Sequence, residues 1–111
     1  MANTRLYFDR SHNNNNLVVT DGYSIKDSLK SYGFLWSAMS KAWILPKGKV
    51  PSGIELGNLI CDIYLAADTM DAFGLADALQ SIPGGYEAFE LALSDDDRRS
   101  KYIAKTEKYY N

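Results

Sequence analysis

The chain has 111 residues, 46% hydrophobic and 23% charged, with a formal net charge of −2 and a single cysteine. This excludes a wholly disordered chain, an internal disulfide scaffold and a bilayer-spanning run of about 18 apolar residues, leaving one small folded domain. The charge is uneven: seven Lys/Arg face three Asp in residues 1–50, and five face eleven Asp/Glu in residues 51–111. Such a division points to a polyanion-facing half or an acidic interaction surface.

In chain order, Arg5–Asp9 and Leu17–Thr20 read as two strands, rich in aromatic and β-branched residues. Between them Ser11–Asn16 forms a polar hairpin tip, with His12 as a turn residue, and Asp21-Gly22 marks a turn. Ser24 and Asp27 resemble a capping box opening a short helix, whose apolar positions are Ile25, Leu29 and Tyr32. Lys26 and Lys30 then share another face, and Gly33 ends the helix. Phe34–Trp36 and Ala42–Leu45 follow as strands around a turn holding Lys41, and Pro46 stops the second.

The other half reads as helical. Ser52 and Glu55 form a second capping-box pattern before Leu56, Leu59, Ile60, Ile63, Tyr64 and Ala67, an amphipathic stripe containing Cys61 as a packed side chain. Asp68 or Asp71 caps a segment over Thr69–Ile82, with Met70, Phe73, Ala76 and Leu79 on one side. Pro83-Gly84-Gly85 breaks the chain, and no Lys-Ser/Thr follows it as a phosphate loop requires. Tyr86, Phe89 and Leu93 mark a short helix. Ser94–Asp97 caps a last one, with Tyr102, Ile103, Thr106, Tyr109 and Tyr110 on its apolar side, the last two packing inside or at a dimer contact. The expected fold class is α+β: a basic, aromatic-rich ββαββ module over 1–50 and an acidic helical extension of three or four helices over 51–111, packed as one unit.

No catalytic set emerges. One histidine and one cysteine supply no metal cluster, and no local motif pairs them as nucleophile and base. The chain therefore reads as a non-enzymatic binding protein without a cofactor, a monomer or homodimer. It is expected in the cytoplasm: its start lacks an apolar signal-peptide core and the lone cysteine fits a reducing compartment. Candidate nucleic-acid contacts are Arg5, Lys26, Lys30, Lys41, Lys47 and Lys49 for phosphates, with Tyr32 or Trp36 for stacking. Trp36 and Trp43 are each large enough to fill a small core instead. An alternative places a protein partner, such as a host defence complex, against Asp62, Asp68, Asp71, Asp77, Glu87 and Glu90. The protein would then be a phage- or plasmid-encoded inhibitor of the anti-CRISPR or anti-restriction type.

The run Ile25-Lys26-Asp27, Leu29-Lys30, Gly33-Phe34, Trp36, Lys41-Ala42-Trp43 and Pro46 resembles a small module of bacterial, plasmid and phage proteins. It also resembles the HARP (HepA-related protein) domain of fork-remodelling helicases. The likeness covers roughly residues 5–49. It implies a helix and hairpin beside other strands, engaging branched or single-stranded DNA, with Lys26, Lys30 and Lys41 as backbone contacts and Trp36 and Trp43 as paired aromatics.

Overall fold

A computed structural model describes residues 3–11 and 14–108. The fold is α+β, with four strands and five helices among the described residues. Strands β1 (Arg5–Asp9) and β2 (Asn16–Thr20) pair antiparallel, Leu6 opposite Val19 and Phe8 opposite Leu17. His12, in the connection between them, lies outside the described residues.

After Asp21-Gly22 the chain makes one 3₁₀ turn, Tyr23–Ile25, and enters α1 (Lys26–Ser31). The capping box expected at Ser24 does not form. Ile25 N–H already bonds the Gly22 carbonyl in the 3₁₀ turn, and no side chain caps α1. Gly22 is fixed by space, because a Cβ there would sit 2.9 Å from both Leu29 and Val19 side chains. Gly33 (φ +96°) ends the helix as expected. Its N–H bonds the Lys30 carbonyl and Phe34 N–H bonds the Leu29 carbonyl, the paired closure that a left-handed residue allows. Leu29 and Phe34, at the two ends of that closure, are both buried.

Strands β3 (Leu35–Ser37) and β4 (Ala42–Leu45) form the second hairpin, and β4 also pairs with β2, giving the antiparallel order β1-β2-β4-β3. The edge of β1 is covered by the helical half: Phe8 N–H donates to Ser81 Oγ at 3.2 Å and Thr4 N–H to Thr69 Oγ1 at 3.0 Å. Covering an edge in this way blocks pairing with another chain.

Helix α2 (Gly53–Ala66) is the hub of the acidic half. Its stripe Leu56, Leu59, Ile60, Ile63 and Tyr64, with Ala67 beyond it, is buried as the spacing predicts. Ser52 makes no side-chain cap, because the chain enters α2 through Gly53 at φ +60°, outside the geometry a capping box needs. The next helix, α3 (Ala72–Ser81), is capped by Asp71, whose Oδ1 accepts from Gly74 N–H at 2.8 Å. Its apolar side is rotated from the expected one: Leu75, Ala78 and Leu79 are buried and Phe73 is exposed. Helix α4 (Gly85–Ala92) buries Ala88, Phe89 and Ala92 and leaves Tyr86 outside.

Helices α2 and α4 approach so closely that a Cβ on Gly57 would lie 1.8 Å from the Ala88 carbonyl oxygen. Helix α5 (Asp96–Glu107) is capped by Asp95, which accepts from Asp97 and Arg98 N–H groups. It buries no residue fully and docks through Tyr102, whose ring packs edge-on to Phe89 at 5.3 Å. Tyr109 and Tyr110 lie outside the described residues. One core joins the two halves: Leu6, Leu17, Val19, Trp43 and Leu45 from the sheet meet Leu59, Ile60, Ile63, Met70 and Leu79 from the helices.

Candidate functional site

The antiparallel register sets Trp36 directly opposite Trp43 on the same sheet face. The rings sit 5.4 Å apart with a 58° tilt, within the range favoured for aromatic pairs. Their environments differ sharply. Trp43 is 6% exposed and part of the core, whereas Trp36, on the edge strand, is 54% exposed. The expectation that both fill the core therefore holds for Trp43 only.

Beside this pair lies a groove of about 780 Å³ between α1 and β3. Trp43 and Phe34 lie on its buried side and Trp36, Leu35 and Tyr23 on its exposed side, with Lys26, Lys30 and Lys49 around it. Among the described residues the lining contains three cations and no acid. Lys30 Nζ stands 6.0 Å from the Trp43 ring centroid. Lys26 Nζ lies 4.3 Å from the Tyr23 ring centroid and donates to its hydroxyl at 3.1 Å. That ammonium holds the Tyr23 phenol below its ordinary pKa, and the phenol in turn raises Lys26. Trp43 Nε1 is buried without a hydrogen-bond partner among the described residues. Chemically, the groove offers exposed ring faces to a planar group and ammonium groups to an anion.

Of the residues singled out in the sequence, the fold thus gathers Lys26, Lys30, Lys49 and Trp36. Arg5 lies elsewhere, its guanidinium 4.7 Å over the Tyr7 ring. Lys41 is exposed at the hairpin turn with φ +53°. Lys47 borders a separate cavity of about 450 Å³ with Phe8, Val50 and Leu56. Tyr32 lies outside this groove and is half-buried. Its hydroxyl donates to Asp62 Oδ2, and the same carboxylate accepts from Arg98 Nε at 3.0 Å and Nη2 at 3.2 Å. Burial and the adjacent carboxylate push the Tyr32 phenol far up, while Asp62 raises Arg98. This cluster ties α1, α2 and α5 together. Comparison with known protein families, characterised proteins and solved structures finds no match to this chain.

Two of the six carboxylates considered for a protein partner are engaged inside the fold, Asp62 with Arg98 and Tyr32, and Asp71 as the α3 cap. Asp68, Asp77, Glu87 and Glu90 are exposed. Among the described residues no group of His, Cys, Asp and Glu is arranged to hold a metal ion. Among the described residues no helix is long and apolar enough to cross a membrane. Cys61 is buried in α2, and burial pushes its thiol up to about 11, which disfavours a nucleophilic thiolate. Tyr23, one of the aromatic residues interleaved with the cations in the sequence, joins the site although it is not among the stacking candidates. Its signal was the spacing of three from Lys26 at the start of α1, which brings ring and ammonium together on one face.

Proposed function

We propose that this chain is a non-enzymatic accessory protein that binds single-stranded nucleic acid, alone or within a nucleoprotein complex, through the groove between α1 and β3. The observation that carries the reading is the joining of exposed aromatic faces, Trp36 and Tyr23, to Lys26, Lys30 and Lys49 with no carboxylate in the lining. Unpaired bases stack on such rings at about 1–3 kcal/mol each, and lysines neutralise the backbone. Duplex bases have their faces already occupied, so the rings select an unpaired strand.

The test is quenching of tryptophan fluorescence by an oligothymidylate at low salt. Binding should weaken with salt and be lost in the Lys26→Ala/Lys30→Ala double variant; absence of binding at low salt sinks the reading. The competing proposal, a phage- or plasmid-encoded inhibitor of a defence complex, depends on Asp68, Asp77, Glu87 and Glu90. It gains ground if the oligonucleotide does not bind and charge reversal at those four positions abolishes capture of a nuclease.

A further inference from the structure

The sheet has a second face, which the groove touches only at Leu35. Opposed residues in an antiparallel ladder share a face, so the pairings Tyr7↔Val18, Val18↔Ile44 and Ile44↔Leu35 set one unbroken row across all four strands. Alternation along the strands adds Arg5, Asp9, Asn16, Thr20, Ala42 and Ser37 on the same side. Leu6, Leu17, Val19, Trp43 and Leu45 point the other way, into the core shared with the helices. Val18 and Ala42 are buried but stand outside that core cluster, while Leu35 is 58% exposed and Tyr7 and Ile44 are half-buried.

We propose that a bound single strand continues from the groove around the β3 edge onto this outer face, where Tyr7 stacks a further base and Arg5 pairs with its phosphate. The inference rests on the single-strand reading of the groove. Continuity is supplied by Leu35, which belongs both to the groove lining and to the outer row. Charge is supplied by Arg5, whose guanidinium lies 4.7 Å from the Tyr7 ring centroid, and by exposed Lys41 in the turn preceding Ala42. Of the nearby acids, Asp9 shares this face at the far end of β1, where its carboxylate accepts from Ser11, and Asp21 lies beyond the end of β2. Three inter-strand steps of about 4.8 Å separate β3 from β1, so the path adds nucleotides to the groove and lengthens the site to about four or more, the lower range for single-strand binders.

The experiment compares fluorescein-labelled oligothymidylates of about three and about twelve nucleotides by anisotropy, on the full chain. The short probe should bind wild type and the Tyr7→Ala and Arg5→Ala variants alike. The long probe should bind wild type more tightly than the short one and lose about five- to one-hundred-fold in affinity with Tyr7→Ala. Tyr7→Phe should retain the wild-type affinity, and the exposed Arg5→Ala gives an independent reading if Tyr7→Ala folds poorly. If neither Tyr7→Ala nor Arg5→Ala affects the long probe while Trp36→Ala weakens both, the path is wrong and the groove reading survives. Failure of wild type to bind either probe overturns both. Concentration-dependent self-association abolished by Tyr7→Ala, with the oligonucleotide affinity unchanged, would make this face a contact between copies and overturn the path as well.

Discussion

Trp36 and Trp43 are seven residues apart and face each other across one ladder, yet substitution should separate them cleanly. Trp43→Ala removes a core ring and should cost about 3–5 kcal/mol, read as a lowered urea midpoint at unchanged slope. Trp36→Ala removes a half-exposed ring, so its midpoint should stay within about 1 kcal/mol of wild type while oligonucleotide affinity falls by about 1–3 kcal/mol. If Trp36→Ala lost stability and kept affinity, Trp36 would be a packing residue. Gly57 makes a different demand. A Cβ there meets the Ala88 carbonyl, backbone that cannot rotate aside, so Gly57→Ala should force α2 and α4 apart and cost about 3 kcal/mol. Thermal denaturation of the variant checks this, and a midpoint equal to wild type would mean that the crossing is looser than the geometry indicates.

Among the elements, α5 is held by polar contacts more than by burial. Asp62 receives both Arg98 and Tyr32, and Lys105 donates to the Tyr64 carbonyl and, at 2.7 Å, to the Ala67 carbonyl, closing the C-terminal end of α2. Because Arg98 and Asp62 are about a third exposed, solvent screens part of their attraction. Asp62→Ala should therefore cost about 1–2 kcal/mol, and a double-mutant cycle with Arg98→Ala should return about 1 kcal/mol of coupling. The cap of α5 is pH-dependent in a defined direction. Hydrogen bonds from Arg98 N–H and Asp97 N–H hold the Asp95 carboxyl below its ordinary value of 3.8. A depressed carboxyl stabilises the fold fully above its ordinary value and loses that contribution as pH falls through the depressed one. Protection of the Asp97 and Arg98 amides from exchange, taken relative to their intrinsic rates, should fall below about pH 4 in wild type and be absent at every pH in Asp95→Ala.

The elements were largely legible in the sequence because local chemistry fixes them: Gly33 as the helix stop, Asp71 and Asp95 as caps, and the α2 stripe. What escaped is tertiary in origin. Phe73 was assigned to the buried side of α3, but the side that α3 buries depends on where β1 and α4 lie. Tyr32 reads as an apolar helix position or a stacking ring and Asp62 as a surface acid, and only the fold, bringing residues 30 apart together, turns them into one bonded pair. Trp36 was ambiguous because exposure depends on β3 being an edge strand, a property of strand order that periodicity does not encode.

On the scale of the whole molecule, the radius of gyration of 13.2 Å matches the roughly 13 Å expected of a compact chain of this length. The basic sheet module and the acidic helices are thus one body, and the uneven charge seen along the chain becomes an uneven charge in space around the groove. The chain's overall pI near 5.2 makes diffuse attraction to polyanions weak, so binding in the groove depends on the local charges of Lys26, Lys30 and Lys49. The measurement that bears most directly on this is the salt dependence of oligothymidylate binding. Three phosphate contacts on a single strand predict a slope of log affinity against log salt of about −2, reduced by about 0.7 on removing each lysine. No binding at low salt, or an affinity indifferent to both salt and the three lysines, would contradict the account.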